Sequence, residues 1–481
     1  MRWTAAEIAD IVGGVITQGD PATVVEMVTQ DSREIDSSGD TSAIPALFVP
    51  LVAERDGHDF VASSGAAATL SSRPVSDLPG LAGLSDRMVV IEVDDTARAL
   101  SELGSAGRAR LGGHPVIGIT GSVGKTTTKD FLAAILGADR PTHASHRSFN
   151  NELGVPLTIL NAPDDTEALV LEMGARGIGH IAGLCAVGRP TVGIVTVVGA
   201  AHTSEFGSVE AIAVGKGELV EALPSAADGG VAVLNAANPL VMGMAARTSA
   251  RIVTFGPGGD VRAESVVLDD ELVPTFTLVA SGPIEPAVRT EVTLGARGVH
   301  LVDNALAAAA AALAIGVPAA AVVAGLAQPV LSPMRMALVR TERGTRVLDD
   351  SYNANPMSTE AALRSLASLA LAPGGRRFAV LGEMAELGDI AAGEHARMGR
   401  IAADLGIHVV AVNAPDYLAG LAGAAAGVDG AAAADLVAGI PEALRLLTDP
   451  PMGAPIGPDD AVLVKGSRVA GLERLVALLT A

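Results

Sequence analysis

The stretch from Val116 to Asp130, VIGITGSVGKTTTKD, constrains the fold of this 481-residue chain more than any other. The β-branched run Val116, Ile117, Ile119 reads as a buried strand. It ends in Thr120-Gly121-Ser122-Val123-Gly124-Lys125-Thr126-Thr127, and the apolar spacing of Phe131, Leu132, Ile135 and Leu136 then predicts a helix. Strand, glycine loop and helix in this order form an anion site, because glycines let backbone N–H groups close around phosphate oxygens and the helix N-terminus adds partial positive charge. Lys125 is placed to reach β- and γ-phosphates, and Thr126 to offer a hydroxyl to Mg²⁺. The strict Walker pattern fails, since Ile119 stands where a glycine would be required.

Composition narrows the partners. A formal charge of −21 argues against a nucleic-acid surface, which needs a basic stripe to neutralise phosphates. Anionic ligands must be met by local cations, helix ends and metals. The single cysteine, Cys185, cannot form an intrachain disulfide, which suits a reducing cytoplasm. The N-terminal MRWTAAEIADIVGG reads as an amphipathic helix rather than a secretory leader. Residues 305–326 carry no charge and are long enough for a bilayer, yet they are mostly alanine and are broken by Gly316-Val317-Pro318. Two short buried helices are expected there.

Along the chain, strand-like and helical stretches alternate, which predicts an α/β protein of three domains: residues 1–112, 113–328 and 329–481. The first contains Asp31-Ser32-Arg33, a buried-strand run Leu47 to Val52, and Asp56-Gly57-His58-Asp59-Phe60. Ser32 and Arg33 fit either an ordinary turn or the recognition of a diphosphate. The second carries the glycine loop in a parallel sheet. Its next strands deliver Glu172 and, after Val192 to Val198, His202 to the carboxyl edge where ligands of such sheets bind. Glu172 suits Mg²⁺, whereas His202 reads equally as structural. The amide-rich segment Arg147 to Pro156 reads as a loop, Lys216 as a solvated helical lysine, and Asn304 as a helix cap. The third domain follows a proline-bearing linker through Met334-Arg335-Met336, and its βα alternation predicts a Rossmann-like sheet. Asp349-Asp350-Ser351-Tyr352-Asn353-Ala354-Asn355-Pro356 follows its first strand and is too polar for a mere turn.

Taken together, DSR, DGHDF, TGSVGKTT, NNELGVP, LEMGA, AHTSEFGS, GKGEL, DNALAAAA, DDSYNANP, LGEMAELGD, EHARMG and VKGSR resemble the Mur ligases across all three domains. TGSVGKTT is shared with folylpolyglutamate ligases, while DDSYNANP, LGEMAELGD and VKGSR point to the member that adds D-Ala-D-Ala to a UDP-MurNAc-tripeptide. The resemblance implies an N-terminal UDP-substrate domain using Ser32, Arg33 and His58, a central P-loop ATPase-like domain, and a C-terminal Rossmann-like ligase domain. It further implies ATP phosphates on Thr120 to Thr127, adenine near Asn304, and nucleotide contacts from Arg335 and Asp350. Two Mg²⁺ sites fall near Thr126, Glu172, His202 and Lys216, with Lys216 N-carboxylated, and Lys125, His202 and Lys216 become the catalytic set. Asn353 and Asn355 are expected at D-Ala-D-Ala. A cytoplasmic monomer acting on small molecules, without nucleic acid or membrane insertion, completes the expectation. The rivals are another Mur or folylpolyglutamate-type ligase, or a P-loop switch that ligates nothing.

Overall fold

The computed structural model describes residues 1–35, 44–81, 88–146, 148–199, 203–421 and 434–480. His202 and Arg147 lie outside the described residues. Among the described residues, three large sheets organise the α/β architecture, beside a two-stranded pairing of Trp3–Thr4 with Val24–Val25.

The N-terminal sheet has five strands in the order Val15–Gln18, Val89–Glu92, Ala68–Ser71, Ala46–Phe48, Met27–Thr29, parallel except for the first. The run expected as a strand from Leu47 to Val52 stops pairing at Phe48. Pro50 lies just beyond and has no N–H to give a ladder.

The central sheet has nine strands, with Val116–Thr120 between Ala168–Glu172 and Val192–Val195. Seven strands run parallel. The last two, Pro274–Ala280 and Val288–Thr293, are added by antiparallel pairing, an extension that the expected all-parallel sheet did not include. The helix Lys125–Gly137 packs on one face beside the alanine-rich helix Leu301–Ala314 and the following Ala319–Ala327, the two short helices expected around Gly316-Val317-Pro318. Ala305 and Ala307 to Ala312 are fully buried. Alanine at these positions lets helix and sheet backbones approach closely enough to exclude voids. The opposite face shares one apolar cluster with the N-terminal domain, reaching from Trp3 and Leu100 to Leu157 and Leu171.

The third sheet runs Ala337–Arg340, Arg346–Asp349, Ala461–Lys465, Arg377–Leu381, His408–Val412, Ala434–Val437, all parallel except the first. Two devices join it to the central domain. The hairpin turn at residues 269–273 inserts Leu272 into the third domain's core among Met336, Leu348 and Leu363. Burying such a side chain contributes about 1.5–3 kcal/mol. Beside it, the Glu271 carboxylate accepts from Arg297 at 3.1 Å and from Arg340 at 3.0 Å. The linker is pinned as well, since Ser332 donates its N–H to Asp130 at 2.7 Å. Among the described residues, no helix is long and apolar enough to cross a membrane.

Candidate active site

A cavity of about 500 Å³ opens between the central and third domains, walled by Ser122 to Thr127 on one side and by Asp350, Tyr352, Asn353, Asn355, Lys465 and Arg468 on the other. Each wall stands at the carboxyl ends of parallel strands, where such sheets bind ligands.

The glycine loop is built to tolerances that exclude other residues. Gly121 has φ +149° and Gly124 φ +88°. A Cβ on Gly121 would lie 1.9 Å from Thr196 Oγ1, and one on Gly124 would lie 2.1 Å from Asn304 Nδ2. The neighbouring strand latches the loop, because Ser122 donates its N–H to the Val197 carbonyl at 2.7 Å and Thr196 Oγ1 donates to the Val123 carbonyl at 2.6 Å. Residues 196–199 therefore serve the loop instead of extending the strand, which ends at Val195 and not at Val198 as expected. Asn304 is not a cap. The helix begins three residues earlier, at Leu301, and the Asn304 amide donates to the Gly124 carbonyl at 3.3 Å and to Thr128 Oγ1 at 3.1 Å.

Lys125 is half-buried and its ammonium donates to the Gly121 carbonyl at 2.8 Å. Burial lowers its pKa, against the opposing pull of the Glu172 carboxylate, and Arg335 adds to the lowering. Glu172 is almost wholly buried. Its Oε1 accepts from Asn150 Nδ2 at 2.8 Å, while its Oε2 has no hydrogen-bond partner. Thr120 Oγ1 and Arg335 Nε are likewise buried without partners. An unmade hydrogen bond on a buried polar atom costs about 1–3 kcal/mol, so this cluster is unusual for a structure complete in itself. The other end of the Arg335 guanidinium donates to Thr126 Oγ1 at 3.3 Å.

Lys216 is not a solvated lysine. It is 1% exposed within the helix Val209–Glu221, and its Nζ, which makes no hydrogen bond or ion pair among the described residues, lies 6.0 Å from the centroid of the Phe206 ring. Burial drives its pKa well below the ordinary lysine value, and the Lys125 charge acts in the same direction. Two residues on, Glu218 accepts from the N–H groups of Gly179 and Ala182 at the start of helix His180–Gly188.

On the third-domain wall, Asp350 pairs with Lys465 at 2.5 Å, and Lys465 also donates to the Asn353 carbonyl at 2.9 Å. Asn355 caps the helix Pro356–Ser368 by accepting from the Ser358 N–H, and Asn353 Oδ1 accepts from the Ala354 N–H. Both asparagines line the cavity with their amide nitrogens unused among the described residues.

The N-terminal candidates are arranged differently. No described residue of that domain lines the cavity. Asp31 caps a short 3₁₀ turn over Ser32–Glu34, and Arg33 folds back on it at 2.5 Å while remaining exposed. His58 is buried, with Nδ1 at 2.6 Å from Asp56 and Nε2 accepting the Ser72 N–H at 3.1 Å. Both ring nitrogens are thus engaged, and the histidine expected to meet a ligand instead holds the strand end that carries Arg73, itself paired with Asp56. Asp31 and Asp56 stand in the DSR and DGHDF motifs, but the pairing of Asp56 with Arg73 left no signal in the chain. Asn150, Tyr352 and Lys465 likewise stand in NNELGVP, DDSYNANP and VKGSR, while their partners Glu172, Ser148 and Asp350 lie too far away in sequence to be read.

The description "Mur ligase middle domain" matches residues 119–312, and "Mur ligase, glutamate ligase domain" matches residues 334–468. The UDP-N-acetylmuramoyl-tripeptide--D-alanyl-D-alanine ligase of Mycobacterium tuberculosis is 41% identical over 99% of this chain and 98% of its own length. A crystal structure of MurF from Acinetobacter baumannii superposes with a TM-score of 0.82 at 31% identity, covering 100% of this chain and 99% of that one. MurF ligase from Thermotoga maritima, solved in complex with ADP, gives 0.74 at 26% identity, covering 95% and 97%. With this agreement over its full length, the chain belongs to the Mur ligase family.

Proposed function

We propose that the chain is an ATP-dependent ligase that joins D-Ala-D-Ala to UDP-MurNAc-tripeptide through an acyl phosphate, releasing ADP and phosphate, in peptidoglycan precursor synthesis. The observation that carries this reading is the cavity itself, which sets a phosphate loop opposite a wall of amide and charged side chains at the ends of a second parallel sheet. A substrate carboxylate must approach the γ-phosphate, anion on polyanion. That approach needs positioning and cationic screening, which Lys125, Arg335 and the loop N–H groups offer. The incoming amine then attacks the acyl carbon, the tetrahedral intermediate collapses, and phosphate leaves. Acyl phosphates hydrolyse, so a site enclosed between two domains favours transfer to the amine over water.

Mg²⁺ would be held by Thr126 and Glu172, and the unpartnered Glu172 Oε2 fits that role. When bound, the ion supplies charge neutralisation across the phosphate oxygens. His202 is assigned to a second ion on resemblance alone. Lys216 is assigned there too, as a carbamate. Its buried, charge-disfavoured amine suits that modification, since only the neutral amine adds CO₂ and a proton is released as the N–C bond forms. Adenine is assigned near Asn304, ribose or phosphate contacts to Arg335 and Asp350, the dipeptide to Asn353 and Asn355, and the UDP end to Ser32, Arg33 and the neighbouring N-terminal strand ends. Both walls come from one polypeptide, which suits a monomer, and ATP with a UDP-linked substrate suits the cytoplasm.

Phosphate release tests the reading. It should require ATP, UDP-MurNAc-tripeptide and D-Ala-D-Ala together. Release that is indifferent to the dipeptide and the tripeptide, but responds to a protein partner, would favour a nucleotide switch.

A further inference from the structure

Tyr352 stands on the third-domain wall with its ring under the Arg335 guanidinium, 4.2 Å from the centroid, and Arg468 at 6.0 Å. Its hydroxyl crosses the cavity to hydrogen-bond the Ser148 hydroxyl of the central domain. Ser148 lies two residues before Asn150, whose amide donates to Glu172 Oε1 at 2.8 Å. Asn150 is held from behind too, since its carbonyl accepts the Gly174 N–H at 2.7 Å, and a Cβ on Gly174 would lie 2.9 Å from Asn150 Oδ1. The loop therefore has little room to shift without turning the carboxylate.

We infer that Tyr352 is a positioning residue: by bonding Ser148 when the third domain is docked, its hydroxyl fixes the 148–150 loop and so aims Glu172 at the bound metal. The inference rests on the assignment of Glu172 to Mg²⁺ above. Two hydroxyls that bond water when the domains are apart bond each other only when they meet. The contact thus converts docking into the orientation of a carboxylate some residues away. Partners that orient a ligating side chain in this manner typically change metal affinity about 10-fold or more on removal. The geometry assigns the hydroxyl and the ring separate tasks, because the ring alone steadies Arg335, which reaches Thr126.

Calorimetric titration of the full-length protein with β,γ-methylene-ATP, in EDTA and then in Mg²⁺, tests this without turnover. Wild type should bind more tightly with Mg²⁺. Tyr352→Phe and Ser148→Ala, which keep the ring and the loop length, should each lose about 10-fold of that metal-dependent gain, leave the EDTA affinity unchanged, and lose no more when combined. A full metal-dependent gain in Tyr352→Phe overturns the inference, as do losses that add in the double variant. A wild type indifferent to Mg²⁺, or Glu172→Gln with the full gain, overturns the metal assignment itself and the inference with it.

Discussion

Two strand-end clusters in this protein handle buried polarity in opposite ways. Around the glycine loop, Thr120 Oγ1, Glu172 Oε2 and Arg335 Nε are buried without partners, and the Lys216 side chain is buried as well. In the N-terminal domain, His58, Asp56, Ser72 and Arg73 satisfy one another, as do Arg33 and Asp31. The first cluster is stable only at a cost of about 1–3 kcal/mol per orphaned atom, which a ligand's oxygens or cations would recover on binding. The second has its charged groups paired, and only the neighbouring Gln30 Oε1 is buried without a partner among the described residues. A diphosphate arriving there must compete with Asp31 for Arg33, so the gain from that contact is small.

Four variants would break or sharpen this contrast. Lys125→Ala should lower ligation by about 10²–10³-fold or more while leaving the unfolding midpoint unchanged, because the lysine screens phosphate and supports no core contact. Near-normal turnover would remove the loop from the reaction. Lys216→Ala should lose about 10²-fold in activity, and a short carboxylic acid in the buffer should restore part of it by occupying the vacated oxygen-ligand position. Wild-type turnover in this variant would end the carbamate assignment.

His58→Leu should show the reverse pattern, with unfolding followed through Trp3, the chain's single tryptophan, which sits in the core shared by the first two domains. Losing a satisfied buried ring should cost about 1–3 kcal/mol while ATP-analogue affinity stays as in wild type. Unchanged stability with lost UDP-substrate binding would turn His58 back into a ligand contact.

The smallest effect concerns His300, which lines the cavity and engages Ser365 through Nδ1 at 3.2 Å. Burial pushes its imidazole down to about 4. Between pH ~6.5 and that value the unfolded chain binds a proton that the folded one does not, so stability falls as pH drops through this window. His300→Gln should flatten the dependence by at most ~1.4 kcal/mol per pH unit, read from urea midpoints. Identical slopes would show the ring is not held neutral.

What could be read from the chain was what repeats locally. The strand, loop and helix around Gly121 and Gly124, the break at Gly316-Val317-Pro318, and the strands ending at Glu172 and Asp349 all carry their signal within a dozen residues. The α/β class followed from these, and the family from a resemblance carried by motifs such as TGSVGKTT, DDSYNANP and VKGSR. Asn304 was misread as a cap because its partner, Gly124, is 180 residues away. Lys216 looked solvated because helical periodicity says nothing about what packs above the helix. Arg335 meets Thr126 across 209 residues, and Tyr352 meets Ser148 across 204. Such pairs leave no spacing to detect. The antiparallel strands after Leu268 went unread for a related reason, since their alternation continues a sheet whose other strands are buried on both faces.

The inserted Leu272 bears on how the protein is made. During synthesis the hairpin that carries it emerges before any strand of the third sheet, and N-terminal units fold first. The third domain therefore closes its core on a leucine already presented by its neighbour. A fragment beginning at the linker would be born with a hole where that side chain belongs, so folding of the last domain waits on the one before it.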